Sequence, residues 1–147
     1  MNSELVIQVA SQKELYTIKD LAKKLDLDCE DLDWSQFIIV KRKGKIIGFG
    51  RLRKYSYNNN QPEECFEIAT VGVIDEERKR GIGSIIVKEL IKKAPSEVFI
   101  TCVIPDFFKK LGFHLVKQYP SVLQKKVDFC KSYDFKDDQI FVMKLIK

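Results

Sequence analysis

The residues best placed to do chemistry are Arg78-Lys79-Arg80-Gly81-Ile82-Gly83-Ser84. Cationic side chains run straight into a Gly-Ile-Gly step, and an apolar pattern at helical spacing (Ile82, Ile85, Ile86, Leu90, Ile91) begins at once. A helix starts with four N–H groups that have no partner inside it, and its aligned peptide dipoles place roughly half a positive charge there. Gly81 and Gly83 have no side chain to block a bulky anion, Ser84 adds a hydroxyl, and Arg78, Lys79 and Arg80 raise the local positive potential. Such a stretch suits the gripping of a phosphate by main-chain amides. It is not a Walker A loop, because the G-x-x-x-x-G-K-[ST] spacing is absent. Nor is it the dinucleotide fingerprint, because Ile86 stands at the third glycine. The competing reading is a solvated turn whose glycines only satisfy backbone geometry.

The elements around this stretch must position it. Leu5 to Ala10 alternate as a strand, Ser11-Gln12-Lys13-Glu14 reads as a capping box, and Leu15, Ile18, Leu21, Ala22 and Leu25 follow helical spacing. The acidic segment from Asp26 to Trp34 reads as a loop or short helix. Residues 36–57 form two strands joined at a Lys43-Gly44 turn, residues 58–64 a loop or hairpin tip, and Cys65 to Ile74 a strand leading to the cationic cluster. The helix after Gly83 stops near Ala94-Pro95. A buried β-branched strand, EVFITCVI, follows it. Next comes a short helix with Pro105 in its first turn and Gly112 as its C-cap. FHLVKQY is a strand, PSVLQKKVDFCKS holds a helical turn or two, and DQIFVMKLI is the last strand. The order predicts an α/β chain, a mixed sheet covered by helices.

The chain has 147 residues, 45% hydrophobic and 32% charged, which suits one globular domain over residues 1–147. No apolar run spans about 18 residues, and the N-terminal stretch has no basic segment followed by a long apolar one. A cytoplasmic protein with no membrane partner is expected. The net charge of +5 is mild and spread along the chain, so nucleic acid is not the expected partner. Cys29, Cys65, Cys102 and Cys130 have no C-x-x-C spacing and His114 is the one histidine, so neither a metal site nor a disulfide framework is expected.

VGVIDEERKRGIGSIIVKEL resembles the acetyl-CoA-binding motif of the GCN5-related N-acetyltransferase (GNAT) superfamily, [RQ]-x-x-G-x-[GA], with Arg78, Gly81 and Gly83 at its fixed positions. VFITCVIPDFFKKLGFHLV resembles that family's next block, with Leu111, Gly112 and Phe113 in the turn. The likeness covers roughly Gln36 to Val116; Leu5 to Leu25 is compatible in element type. ITCVIPDFFKKLGF is also similar to the compact N-acetylglutamate-synthase-like amino-acid acetyltransferases. Thr101, Phe107, Phe108, Gly112 and Phe113 match there, and Tyr119-Pro120 and Cys130 match the tail loosely.

The resemblance implies a twisted mixed sheet of about seven strands with helices on both faces. It also implies acetyl transfer from acetyl-CoA, as co-substrate, to a small-molecule amine such as the amino acid glutamate. The pyrophosphate would sit on the N–H groups of Arg80 to Ser84, flanked by Arg78 and Lys79. The pantetheine arm would run along Val71, Gly72 and Val73, lined by Val103, Ile104 and Phe107. The Val73 N–H would face the oxyanion.

For the base, Glu67 is the candidate, acting through a water. It lies on the strand leading to Val73, and an even separation puts both on one face if the strand is unbroken. The competing reading is an exposed Glu67 paired across the sheet with Arg51 or Arg53; Glu63 and Glu64 are weaker candidates. Arg51 and Arg53 could hold an acceptor carboxylate bidentately, or simply form a basic outer sheet face. The chain departs from many family members at Phe108, which stands where a proton-donating Tyr is usual. Water, Tyr119 or Cys102 would then serve as acid. A buried Cys102 is more readily inert than nucleophilic, and His114 suits a strand surface or the core better than catalysis.

Two alternatives stay open: acetylation of a protein N-terminus, lysine or polyamine, favoured by the acidic Glu63, Glu64 and Glu67, and a non-catalytic acyl-CoA-binding module, favoured by Phe108. Homodimers are common in that family, and the sequence marks no interface.

Overall fold

A computed structural model of the chain describes residues 4–55 and 65–147. Among them the strands are β1 (Leu5–Val9), β2 (Phe37–Arg42), β3 (Lys45–Tyr55), β4 (Cys65–Val73), β5 (Glu97–Cys102), β6 (His114–Leu115) and β7 (Phe141–Ile146). The helices are α1 (Leu15–Lys24), α2 (Ile82–Lys93), α3 (Pro105–Lys110) and α4 (Gln124–Lys131). The strands form one mixed sheet in the order β1-β2-β3-β4-β5-β7-β6. The pairs β1–β2, β2–β3, β5–β7 and β6–β7 are antiparallel, and β4 runs parallel to β5 with Glu67 opposite Phe99. The loop expected at residues 58–64 lies outside the described residues. No helix among the described residues is long and apolar enough to cross a membrane.

The chain divides into two compact units, one of Met1–Leu52 with Ile68–Lys93, the other of Arg53–Glu67 with Ala94–Lys147. In the first, β2 and β3 meet at Lys43 (φ 54°) and Gly44 (φ 77°), both left-handed, as a two-residue hairpin turn of the primed type requires. Alternation then sorts β3 into two faces. Phe49 packs with Phe37 and Ile39 of β2 and with Ile18 and Ala22 of α1. Gly48 and Gly50 look the other way, onto α2.

That second face explains a glycine in mid-strand. A Cβ on Gly50 would lie 2.7 Å from Ile86 Cγ2, 3.1 Å from Leu90 Cδ1 and 3.2 Å from Val71 Cγ2. The absent side chain lets α2 settle close to the sheet. Gly50→Ala should cost about 1–3 kcal/mol by overpacking, read as a lower denaturation midpoint at unchanged m-value. A midpoint equal to wild type would show that α2 can retreat freely.

The expected capping box at Ser11 and Glu14 is present and leads into α1: Glu14 Oε1 accepts from the Ser11 N–H at 2.8 Å and from the Ser11 hydroxyl at 3.0 Å. Lys41 Nζ lies 2.7 Å from Glu14 Oε2, and this bond, with those from Ser11, holds the carboxyl below its ordinary value of 4.5. A depressed folded-state value gives stabilisation that is present above 4.5 and lost as pH falls through the lower value. Wild-type Tm should therefore drop between about pH 6 and pH 3 more steeply than that of Glu14→Gln. Parallel curves would count against the assignment.

In the second unit β5 pairs with β7 over its whole length, from Glu97↔Ile146 to Cys102↔Phe141. Phe99, Val142, Leu123 and Val127 form the core of this unit. Helix α3 begins at Pro105 and ends in a Schellman motif: Phe113 N–H donates to Phe108 O, Gly112 N–H to Lys109 O, and Gly112 takes φ 103°. Strand β6 is shorter than the expected FHLVKQY. After Leu115 a single further bond, Val116 N–H to Val142 O, precedes departure of the chain toward Pro120 and the Ser121–Leu123 helical turn.

Candidate functional site

Beyond β4 the chain makes one tight turn at Asp75–Glu77 and turns left-handed at Lys79 (φ 64°) and Gly81 (φ 80°) before α2 begins. The first bond of α2 runs from Ile85 N–H to Gly81 O at 3.2 Å. The N–H groups of Ile82, Gly83 and Ser84 precede that bond and have no acceptor inside the helix. A Cβ on Gly81 would meet nothing within 4 Å, so the space before the helix is open. Arg78, Lys79, Arg80 and Gly81 are exposed; Gly83 and Ser84 are half-buried.

Side chains tie this loop down. Arg78 Nε lies 3.4 Å from Val73 O and 3.3 Å from Asp75 Oδ1, which brings the loop to the end of β4. Glu77, nearly buried, receives Arg80 Nη1 at 3.4 Å on one oxygen and Arg42 Nε at 3.1 Å on the other. Arg80 is thus held by a carboxylate at the base of the loop, a partner that reading the cationic run alone does not anticipate.

Strand β4 is not straight. Thr70 takes φ 52°, a conformation that costs a β-branched residue about 1–3 kcal/mol and persists only where the surroundings enforce it. The enforcement is visible: Arg51 Nε donates to Thr70 Oγ1 at 3.0 Å, and Thr70 Oγ1 donates to Asp28 O at 2.9 Å. Arg51 Nη1 also donates to Asp31 O at 3.3 Å, and Nη2 lies 3.7 Å from Asp28 Oδ2. Before Thr70, Cys65 and Glu67 are buried and Phe66 is half-buried; after it, Gly72 is buried while Val71 and Val73 are half-buried. The phase of the strand shifts at the kink, so the premise of an unbroken strand fails, and spacing no longer places Glu67 and Val73 on one face.

Arg51 needs a second correction. Both surface readings expected an exposed side chain; its exposure is 0%, and its guanidinium is taken up by Thr70, Asp28 and Asp31. Such a group is not available to an incoming carboxylate.

The second unit holds the remaining candidates. Glu67 is fully buried rather than an exposed strand residue, and it accepts from Tyr55 Oη at 2.8 Å. Arg53 is also buried, its guanidinium 4.7 Å from the Tyr55 ring centroid. Glu63 and Glu64 lie outside the described residues. Val103 and Phe107 are half-buried and Ile104 is exposed. Phe108 is buried between Phe107 and Phe113, both edge-on to it at 4.9 and 5.8 Å, which is a packing role. Burial pushes the Cys102 thiol up to about 11, and its Sγ lies 3.8 Å from Met143 Sδ, so the thiol stays protonated near neutrality. Tyr119 donates to Gln124 Oε1 at 3.1 Å, and His114 is exposed on β6.

A mixed sheet whose kinked strand delivers the chain to an open, cationic helix start is an arrangement whose charge and free amides suit a phosphate. The chain belongs to the acetyltransferase (GNAT) family, whose family model matches residues 6–113. An uncharacterized N-acetyltransferase of Chlorobaculum tepidum is 28% identical over 88 residues, 56% of this chain; the match takes in 53% of that relative, about half its length.

Among solved structures, N-acetylglutamate synthase from Neisseria gonorrhoeae, complexed with coenzyme A and N-acetyl-glutamate, superposes at TM-score 0.75 with 17% identity, covering 99% of this chain and 36% of that one. A Mycobacterium tuberculosis protein in complex with CoA gives 0.72 with 22% identity, covering 97% and 99%. An Arabidopsis thaliana protein in complex with the bisubstrate analogue CoA-Ac-MVNAL gives 0.67 with 16% identity, covering 95% and 97%. At these identities the likeness is one of fold.

Proposed function

We propose that the chain transfers an acetyl group from acetyl-CoA to the primary amine of a small molecule. The observation that carries the reading is the start of α2, where the N–H groups of Ile82, Gly83 and Ser84 precede the first helical bond under an unobstructed Gly81. A diphosphate on these amides, flanked by Arg78, Lys79 and Arg80, fits both the helix dipole and the charge. The pantetheine amides would then pair with the backbone of Val71–Val73. Val103, Ile104 and Phe107 stay in the reading as apolar neighbours of the arm.

The amine nitrogen attacks the thioester carbon, the oxyanion is met by the Val73 N–H, and the carbon–sulfur bond breaks to release CoA thiolate. Glu67, through a water, takes the proton the amine loses. The thiolate takes its proton from solvent, since Phe108 has none to give and Cys102 holds its own firmly. A thiol of pKa roughly 8.5 leaves at moderate cost without a dedicated acid.

The acceptor class is a small primary amine. An amino acid remains the leading member of that class, supported by the fold's likeness to a structure holding N-acetyl-glutamate. The burial of Arg51 removes one of the side chains that argued for a carboxylate-bearing acceptor. Release of free CoA from acetyl-CoA, followed with glutamate, neutral amino acids, a polyamine and a short peptide as acceptors, tests the reading. Turnover on a small amine is expected. CoA binding with no turnover on any acceptor would favour a non-catalytic module, and turnover on the peptide alone would favour a protein N-terminus.

A further inference from the structure

We infer that Arg51 and Thr70 are positioning residues that set the path of the cofactor strand. The inference rests on the binding mode just proposed and adds to it the device that aims Val71–Val73. All the groups involved lie in the first unit.

The left-handed residue comes immediately before Val71, so the direction of the next three residues depends on whether Thr70 stays at φ 52°. Threonine by itself disfavours that angle. Two buried hydrogen bonds through one hydroxyl hold it: Arg51 Nε gives to Oγ1, and Oγ1 gives to Asp28 O. The hydroxyl is both acceptor and donor, so Val cannot replace it, and its bond to Asp28 joins β4 to the loop after α1. The anchor is rigid in turn. Arg51 is fully buried, with Nη1 on Asp31 O and Nη2 near the Asp28 carboxylate, and Asp28 Oδ1 accepts from the Glu30 N–H at 2.9 Å. A guanidinium reaches three such points in one plane, and a lysine ammonium does not. The phosphate loop beyond Ile74 touches the end of β4 through Arg78 and Val73 O, but its carboxylate braces, Glu77 and Asp75, lie outside this tether.

That separation supplies the test. CoA uses both the phosphate loop and the strand; adenosine 3′-phosphate 5′-diphosphate carries the same nucleotide and a diphosphate without the pantetheine arm. Affinities of both ligands are measured by calorimetry for wild type, Arg51→Met, Thr70→Gly and Thr70→Ser. Arg51→Met and Thr70→Gly should weaken CoA binding about tenfold and leave the diphosphate within about twofold. Thr70→Ser keeps the hydroxyl and should bind both as wild type does. A role in stability alone would lower Tm and leave the ratio of the two affinities unchanged.

Arg51→Met takes the cation from beside buried Asp28 and risks misfolding. Thr70→Gly suits the left-handed angle and keeps the test open. A wild-type ratio of affinities in Thr70→Gly overturns the inference alone. Wild-type protein that binds neither ligand overturns the binding mode and the inference together.

Discussion

Gly81→Asp is expected to abolish CoA binding while leaving the protein folded. The residue sits at φ 80°, a conformation that Asp and Asn enter more readily than other side chains do, and a Cβ there meets nothing within 4 Å. A carboxylate before a helix also complements the dipole and offsets part of the strain a side chain meets at this angle, so Tm should fall by only about 2–4 °C. The same carboxylate would occupy the space before the amides of Ile82, Gly83 and Ser84 with the charge a phosphate would bring. Affinity for CoA should fall about 100-fold or more, since repulsion replaces a charge-assisted bond. Gly81→Asn, equal in shape and neutral, should lose about tenfold at most. A dissociation constant for Gly81→Asp within about threefold of wild type would remove the cradle from the account.

The second large effect concerns the base. Glu67→Gln keeps the shape of a fully buried side chain and its bond from Tyr55 Oη, and removes the ability to take a proton. If Glu67 receives the amine proton, kcat should fall about 10²- to 10³-fold with CoA affinity unchanged. Equal turnover by the variant across the pH range would dismiss Glu67 and leave free amine from solution as the attacking species.

What could be read from the chain beforehand follows from how far apart the interacting residues lie. The cationic loop, the Lys43-Gly44 hairpin and the Pro105–Gly112 helix are local devices, each set by neighbours within a few positions, and the structure shows all of them. Thr70 was opaque because its residue type argues for a regular strand, and the partners that overrule it stand at Arg51 and Asp28. Arg51 itself read as a surface cation because nothing near it in sequence is acidic. Its counter-charge comes from the loop after α1, assigned only as an irregular acidic stretch. The parity argument for Glu67 failed for the same reason, since one left-handed residue resets every later position on the strand. Strand β6 is shorter than apolar alternation implies because the chain leaves β7 after Val116, although β7 itself continues to Phe141.

Glu77 bears on selectivity. A loop with Arg78, Lys79 and Arg80 side by side would attract any polyanion if its charges stood bare. With Arg80 leaning on the Glu77 carboxylate, and Arg42 drawing that carboxylate from the other side, part of the attraction is already spent within the fold. A diffuse polymer of phosphates gains little by competing for it. On the proposed binding mode, a compact ligand that also reaches the helix amides would have more to gain than charge alone offers, and the counterweight would act as a filter for shape.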